Sequence, residues 1–173
     1  MIKRLHQAMS TLLAYLIFIY IFKVDKLSSI ILSLIIGFIS VLPDIDYNIY
    51  NWAYKQYKYL ENKKIKYLIY PYYLFLWILV NLFKHRGFTH SIFPILIFFI
   101  LGFFTIHLFY LFSIAFLLHI FEDSFTVSGI YPLYPIKDYQ FKIGILSNNR
   151  NRNAQIVLSY IFWIIYIFLI FIY

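Results

Sequence analysis

The sequence predicts an all-α, polytopic helical membrane protein with about five membrane helices and one additional interfacial or re-entrant helix. Three observations predict it. Of 173 residues, 63% are hydrophobic and only 13% charged, far from the quarter-charged usage of soluble domains. A soluble chain of this size could not hide that much apolar surface. The apolar residues are also gathered into long runs at 8–22, 27–42, 67–83, 92–121 and 154–173, and hydrocarbon is crossed by helices or closed barrels because every backbone polar group needs a partner inside it. Finally, the basic residues fall into the segments between those runs, with a bias toward alternate ones.

The elements follow in order. Lys3 and Arg4 precede the first apolar run as in a signal peptide, but no small-x-small site follows, so the run reads as a retained span. "KVDK", residues 23–26, reads as a tight polar turn, and the second helix ends near Pro43. The segment 43–66 reads as a loop. The run 67–83 has Pro71, flanking tyrosines and bases on both sides, which suits a helix lying at the interface or re-entering. The run 92–121 is too long for one span and divides near "GFFTIH", where Gly102, Thr105 and His107 allow a reversal. The basic, Asn-rich "KIGILSNNRNRN" leads into the last span, "AQIVLSYIFWIIYIFLIFIY" at 154–173. The whole chain, 1–173, reads as one membrane-embedded domain carrying this C-terminal helix.

Charge parity arranges these spans. If 67–83 does not cross, the N-terminus, 43–66, 84–91 and 122–153 share one side, and that side holds 13 of the 15 Lys and Arg residues, with Lys23 and Lys26 opposite. The bias of bases toward the cytoplasm then places that face in the cytoplasm of a multi-pass cell-membrane protein. The net charge of +8 is explained in the same way, by anionic membrane lipids as partners. Nucleic acid is disfavoured, since no zinc finger, helix-turn-helix or RNA-binding aromatic module occurs.

The same parity collects the residues able to do chemistry. His6, Asp44, Asp46, His85, His90, His119, Glu122 and Asp123 all emerge at the basic face, although they span more than a hundred positions. Asp44 and Asp46 follow Pro43, and in an extended turn both carboxylates can point one way; two like charges so close call for a cation. At the end of a helix they would also oppose its dipole. His85 and His90 flank a glycine turn in "HRGFTHS", with Thr89 or Ser91 placed to cap the helix beginning near Ile92. His119 and Asp123 are four apart and share a helix face, whereas Glu122 points off it and reads as a general base or a surface acid. His107 falls at the far end of the short legs and reads as structural. No cysteine is present, and imidazole with carboxylate favours zinc, with manganese or iron as alternatives. Seven candidate ligands, His6, Asp44, Asp46, His85, His90, His119 and Asp123, leave room for one or two ions. Catalytic roles fall to Asp46 and Glu122, and to Arg86, placed to hold an anionic oxygen.

"LPDID" at 42–46, "HRGFTHS" at 85–91 and "HIFEDSFTVSGIYPLYPI" at 119–136 together resemble the YdjM-like family, described as LexA-binding, inner-membrane-associated, metal-dependent hydrolases. The resemblance covers about residues 1–145. It implies that His6, Asp44, Asp46, His85, His90, His119 and Asp123 hold metal. This chain departs from the pattern at Tyr47, where a histidine often stands, and at Leu5, where threonine is common. The family's distant similarity to zinc-dependent phospholipase C and nuclease P1 implies a phosphoester substrate. The expectation is a metal-dependent hydrolase acting at the membrane surface on a lipid or other amphiphilic phosphoester. Two rivals stand beside it: a small metal or proton transporter, which would need polar residues along its spans, and a non-catalytic, metal-stabilised protein that binds a partner.

Overall fold

A computed structural model describes residues 1–62, 69–83, 86–147 and 150–172. The expected all-α character holds among them. Helix α1 spans Lys3–Leu16 and continues through one π-helical turn, Ile17–Ile21. The chain reverses through Lys23, at a positive φ of 52°. Asp25 then caps α2, Lys26–Ile39, by accepting a hydrogen bond from the Ser28 amide at 2.9 Å.

Among the described residues, three helical stretches are long and apolar enough to cross a membrane: Lys3–Ile21, Lys26–Asn62 and Arg152–Ile172. The protein is therefore polytopic. The second stretch is broken at Pro43 into α2, a short 3-10 turn at Leu42–Ile45, and α3, Asp46–Asn62. The expected loop at 43–66 is thus helical as far as Asn62. From Asp46 to Asn62 the sequence contains no glycine or proline, and Ala53, Tyr57 and Leu60 recur at helical spacing, giving one apolar stripe. That stripe packs on α4, Tyr70–Leu82, with the Tyr57 and Tyr73 rings stacked at 4.9 Å. The two helices form a hairpin beside the main bundle.

The run 92–121 divides as its sequence indicates. Ser91 caps α5, Ile92–Phe104, and α6, Phe109–Ser124, follows after a short turn. With 13 and 16 residues, these legs are about 20 and 24 Å long at ~1.5 Å per residue, short of a ~30 Å hydrocarbon core. His107 sits in their connection, donating from Nδ1 to the Gly102 carbonyl at 3.2 Å and stacking on Tyr110. Residues 125–147 form an irregular cover with isolated bridges pairing Thr126 with Leu146 and Ile130 with Phe141. Helix α7, Arg152–Ile172, closes the bundle.

Helix α1 is the central post, packed on α2, α6 and α7. One core joins Ala14, Phe18, Ile36, Leu111, Ala115 and Leu118, and a second joins Leu12, Tyr15, Ile19 and Tyr166. Ser33 and Tyr166 share a buried hydrogen bond at 3.1 Å between α2 and α7. Gln155, fully buried, accepts from the Ile2 amide and donates to the Ser147 carbonyl, each at 3.0 Å. These ties bring the first turn of α7 beside the start of α1.

Helices α1 and α2 approach each other closely at Gly37. A Cβ at Gly37 would stand 2.0 Å from Thr11 Oγ1, so only glycine lets these backbones meet. Gly37→Ala should force the pair apart and cost about 1–3 kcal/mol, as overpacking does. A lowered melting temperature in detergent checks this; an unchanged one would show that Thr11 yields without strain.

Candidate metal centre

Four side chains from three elements converge at one end of the bundle. Asp44 comes from the 3-10 turn after Pro43, His90 from the 3-10 turn Phe88–His90, and His119 and Asp123 from adjacent turns of α6. Each offers one ligand atom, and all four atoms lie within 4.8 Å of one another. His90 Nε2 and His119 Nε2 are 3.1 Å apart. Asp44 Oδ1 is 3.7 Å from the first and 3.8 Å from the second. Asp123 Oδ2 is 3.5 and 3.8 Å from the same two nitrogens. A tetrahedral zinc with bonds of ~2.0–2.1 Å has ligand-to-ligand edges of about 3.3–3.4 Å, so these separations surround the required value.

Hydrogen bonding on the far side of each ring explains which atoms face inward. His119 Nδ1 lies 2.7 Å from the Ser40 carbonyl. A carbonyl only accepts, so Nδ1 carries the proton and Nε2 presents its lone pair to the centre. The acceptor is available because Ser40 closes α2, where helix carbonyls lack intrahelical partners. His90 Nδ1 stands 3.3 Å from Asp46 Oδ2, and a proton between them leaves His90 Nε2 as a second lone pair. Two lone pairs facing each other at 3.1 Å repel unless a proton or a metal cation lies between them. Asp123 Oδ2, buried and without a hydrogen-bond partner, faces the same point. The donor set therefore fits a divalent ion, and the protein contains a metal-binding cluster. Its composition admits zinc, manganese or iron.

Asp46 lies behind His90. Its Oδ2 accepts from the Arg86 amide at 3.1 Å and from Thr89 Oγ1 at 3.0 Å while facing His90 Nδ1. The two aspartates part company because the backbone here is helical instead of extended, and residues two apart on a helix point in different directions. They stand at the start of α3, where the dipole favours negative charge, rather than opposing it at the end of α2.

His6 is brought to the centre but sits beside the four donors. Its ring stacks on His119 at 4.1 Å; Nδ1 meets Glu122 Oε2 at 2.6 Å and Nε2 stands 3.2 Å from Asp123 Oδ1. The Met1 amino group lies 3.0 Å from that same oxygen. Glu122, off the His119–Asp123 face as expected, accepts from Ser10 Oγ at 2.7 Å and reaches the cluster only through His6. Arg86 is buried. Its Nη2 is 3.4 Å from Asp123 Oδ2, and Nη1 donates to Thr126 Oγ1 at 2.8 Å and to the Gly129 carbonyl. Its backbone takes a positive φ of 60°, sparsely populated for a non-glycine residue and frequent at functional sites. His85 lies outside the described residues.

Residue chemistry alone does not point to Ser10, Ser40 or Thr126, and Thr89, a candidate helix cap by sequence, donates to Asp46 while Ser91 makes the cap. Ser10 carried a readable signal, lying one helical turn after His6; the Ser40 carbonyl carried none.

Among the four donors, Asp44 alone is partly open, its side chain 18% exposed where the histidines are sealed, so the centre opens on that side. Burial opposes a charge on His90, but hydrogen bonds to Asp44 and Asp46 outweigh it and hold the ring above its ordinary pKa. A proton on Nε2 competes with a metal ion, so affinity should rise with pH as His90 loses its proton. Zinc titrations at a series of pH values test this, and a flat profile would remove His90 from the ligand set.

The fold and site define a class: a polytopic helical membrane protein with a buried imidazole–carboxylate metal site at one end of its bundle. The chain matches the YdjM inner membrane protein family over residues 1–173 and belongs to it; the match continues past residue 145, where the resemblance in the motifs ends. No curated protein and no solved structure matches the chain.

Proposed function

We propose that the protein is a metal-dependent hydrolase at the membrane surface, acting on a phosphoester of a lipid or other amphiphile. The observation that carries this reading is the four-donor cluster, open on its Asp44 side and flanked by a buried guanidinium. Asp44, His90, His119 and Asp123 would hold the ion, with zinc preferred. Bound there, a divalent ion supplies Lewis-acid charge and makes a water molecule more acidic. The protein's own residues do the rest. Asp46 and Ser40 orient His90 and His119, an arrangement that tightens metal sites. Glu122 holds His6 beside Asp123, which makes His6 the group able to take up or release a proton there. Arg86 places positive charge next to Asp123 Oδ2, and its Nε has no hydrogen-bond partner among the described residues, leaving a donor for an anionic oxygen.

The test is phosphate-ester cleavage by the reconstituted chain in vesicles of phosphatidylethanolamine and phosphatidylglycerol. Zinc-loaded protein should release a water-soluble headgroup product, and chelator should stop it. A preparation that holds its metal yet releases nothing from these lipids or from soluble phosphodiesters would defeat the reading.

The topology proposed is five crossings, by α1, α2, α5, α6 and α7, with the metal centre at the cytoplasmic face. The uneven distribution of basic residues supports it. Because the chain has no cysteine, single cysteines at Asn62, Asp138 and Ser28 report directly. The first two should be labelled from the cytoplasmic side and the third from the opposite side. Labelling of all three from the same side contradicts the arrangement.

A further inference from the structure

Beside the metal centre lies a groove of about 230 Å³ whose walls are almost wholly apolar. Leu5 and Met9, one turn apart on α1, form one side, and Leu158 and Phe162, one turn apart on α7, form the other. Ile145 of the irregular cover lines it as well. Its ionisable lining residues are Glu122, the same side chain that holds His6 against the cluster, and Met1, whose amino group is bound to Asp123. Both walls belong to helices long and apolar enough to span a membrane, and the pairs at four-residue spacing make the groove run along the helix axes. On α7 the neighbouring positions Val157 and Ile161 are exposed, as lipid-facing residues of a span are. Such a groove would meet hydrocarbon, and its two ionisable lining residues, Glu122 and Met1, are already paired with His6 and Asp123.

We infer that this groove seats one acyl chain of a membrane lipid and thereby holds that lipid's headgroup at the level of the metal centre. Three observations converge on this occupant. The lining is apolar and extended along the helices, which fits a flexible hydrocarbon chain. The groove begins in the first turn of α1 and the second turn of α7, toward the end of the bundle where His6 and the four donors lie. Its polar boundary, Glu122, is shared with the site. The inference deepens the proposed function and rests on it for the fate of the lipid, while occupancy of the groove can be measured without any reaction.

The experiment uses the full chain in phosphatidylethanolamine and phosphatidylglycerol vesicles containing a phosphatidylglycerol with a photoactivatable diazirine in one acyl chain. After irradiation and peptide mapping, adducts should concentrate on Met9, Leu158 and Phe162 over Val157 and Ile161, which sit at the same height on α7 but face outward. Leu158→Trp, which fills the groove with a larger side chain, should abolish the Met9 adduct while bound metal stays unchanged. Met9→Trp should likewise abolish the Leu158 adduct, so the result does not depend on one variant folding. Equal labelling of groove and outward positions, or a Met9 adduct that survives Leu158→Trp, overturns the inference, as does crosslinking of the groove to a second copy of the chain in place of lipid. The two readings separate cleanly. Groove adducts without any hydrolysis uphold the acyl-chain site and count against the enzyme, whereas metal-dependent hydrolysis with no preference for groove positions does the opposite.

Discussion

Asp123→Ala should release the metal and destabilise the protein more than any other single substitution at the site. Both oxygens of this carboxylate are committed. Oδ2 faces His90, His119 and the Arg86 guanidinium, and Oδ1 faces His6. Its removal leaves a buried arginine without its counter-charge, a loss typically costing about 3–5 kcal/mol. The ligand set falls to three, one of which, Asp44, is partly exposed. Metal content by elemental analysis and the melting temperature with and without added zinc read the two consequences separately. Asp123→Asn keeps the shape without the charge and should also lose the metal while folding better than the alanine variant. His107→Ala, at the far connection, should change neither. A metal-replete Asp123→Ala protein would place the ion elsewhere.

The second large effect belongs to a residue that does not face the cluster. Asp46→Ala strips the common acceptor from the Arg86 amide, Thr89 Oγ1 and His90 Nδ1. Each buried donor left unsatisfied costs about 1–3 kcal/mol, and the 86–90 turn that presents His90 loses its anchor. Metal affinity should fall by roughly 10–100-fold, as it does when a carboxylate behind a ligating histidine is removed. Asp46→Asn retains an acceptor oxygen and should recover stability more than affinity. The carboxylate's charge strengthens the His90 lone pair, and its amide counterpart only positions the ring. Competition with a zinc-sensitive dye resolves the affinities, and circular dichroism confirms that the variants are folded. If Asp46→Asn and Asp46→Ala bind zinc as tightly as the parent chain, Asp46 does not govern His90.

These effects also mark where sequence reasoning succeeds and stops. The long apolar runs and the four-residue spacing of His119 and Asp123 were readable because both follow from helix geometry alone: about 20 residues cross hydrocarbon, and positions four apart share a face. The gathering of His90 with Asp44 followed from counting crossings. The division of labour between Asp44 and Asp46 was not readable, because it depends on the backbone at 42–46. An extended turn directs both inward, whereas the 3-10 turn running into α3 sends Asp44 to the centre and Asp46 behind His90. The helical character of 46–62 was obscured by its many tyrosines and lysines, which suit a polar loop as well as an interfacial helix. The part played by the Ser40 carbonyl is invisible in any sequence, since every residue carries one. His6 shows the remaining gap: its position near the cluster was expected, but its stacking on His119 and its bond to Glu122 depend on how α1 and α6 pack.

The four donors would hold a single divalent ion between two imidazoles and two carboxylates. X-ray absorption at the zinc edge, on full-length protein loaded with zinc in detergent, measures it most directly. The expected result is a nearest-neighbour shell of nitrogen and oxygen at about 2.0–2.2 Å, with imidazole scattering that fits two rings in the parent chain and one in His119→Ala. A signal requiring no imidazole, or one left unchanged by His119→Ala, would contradict the centre formed by Asp44, His90, His119 and Asp123.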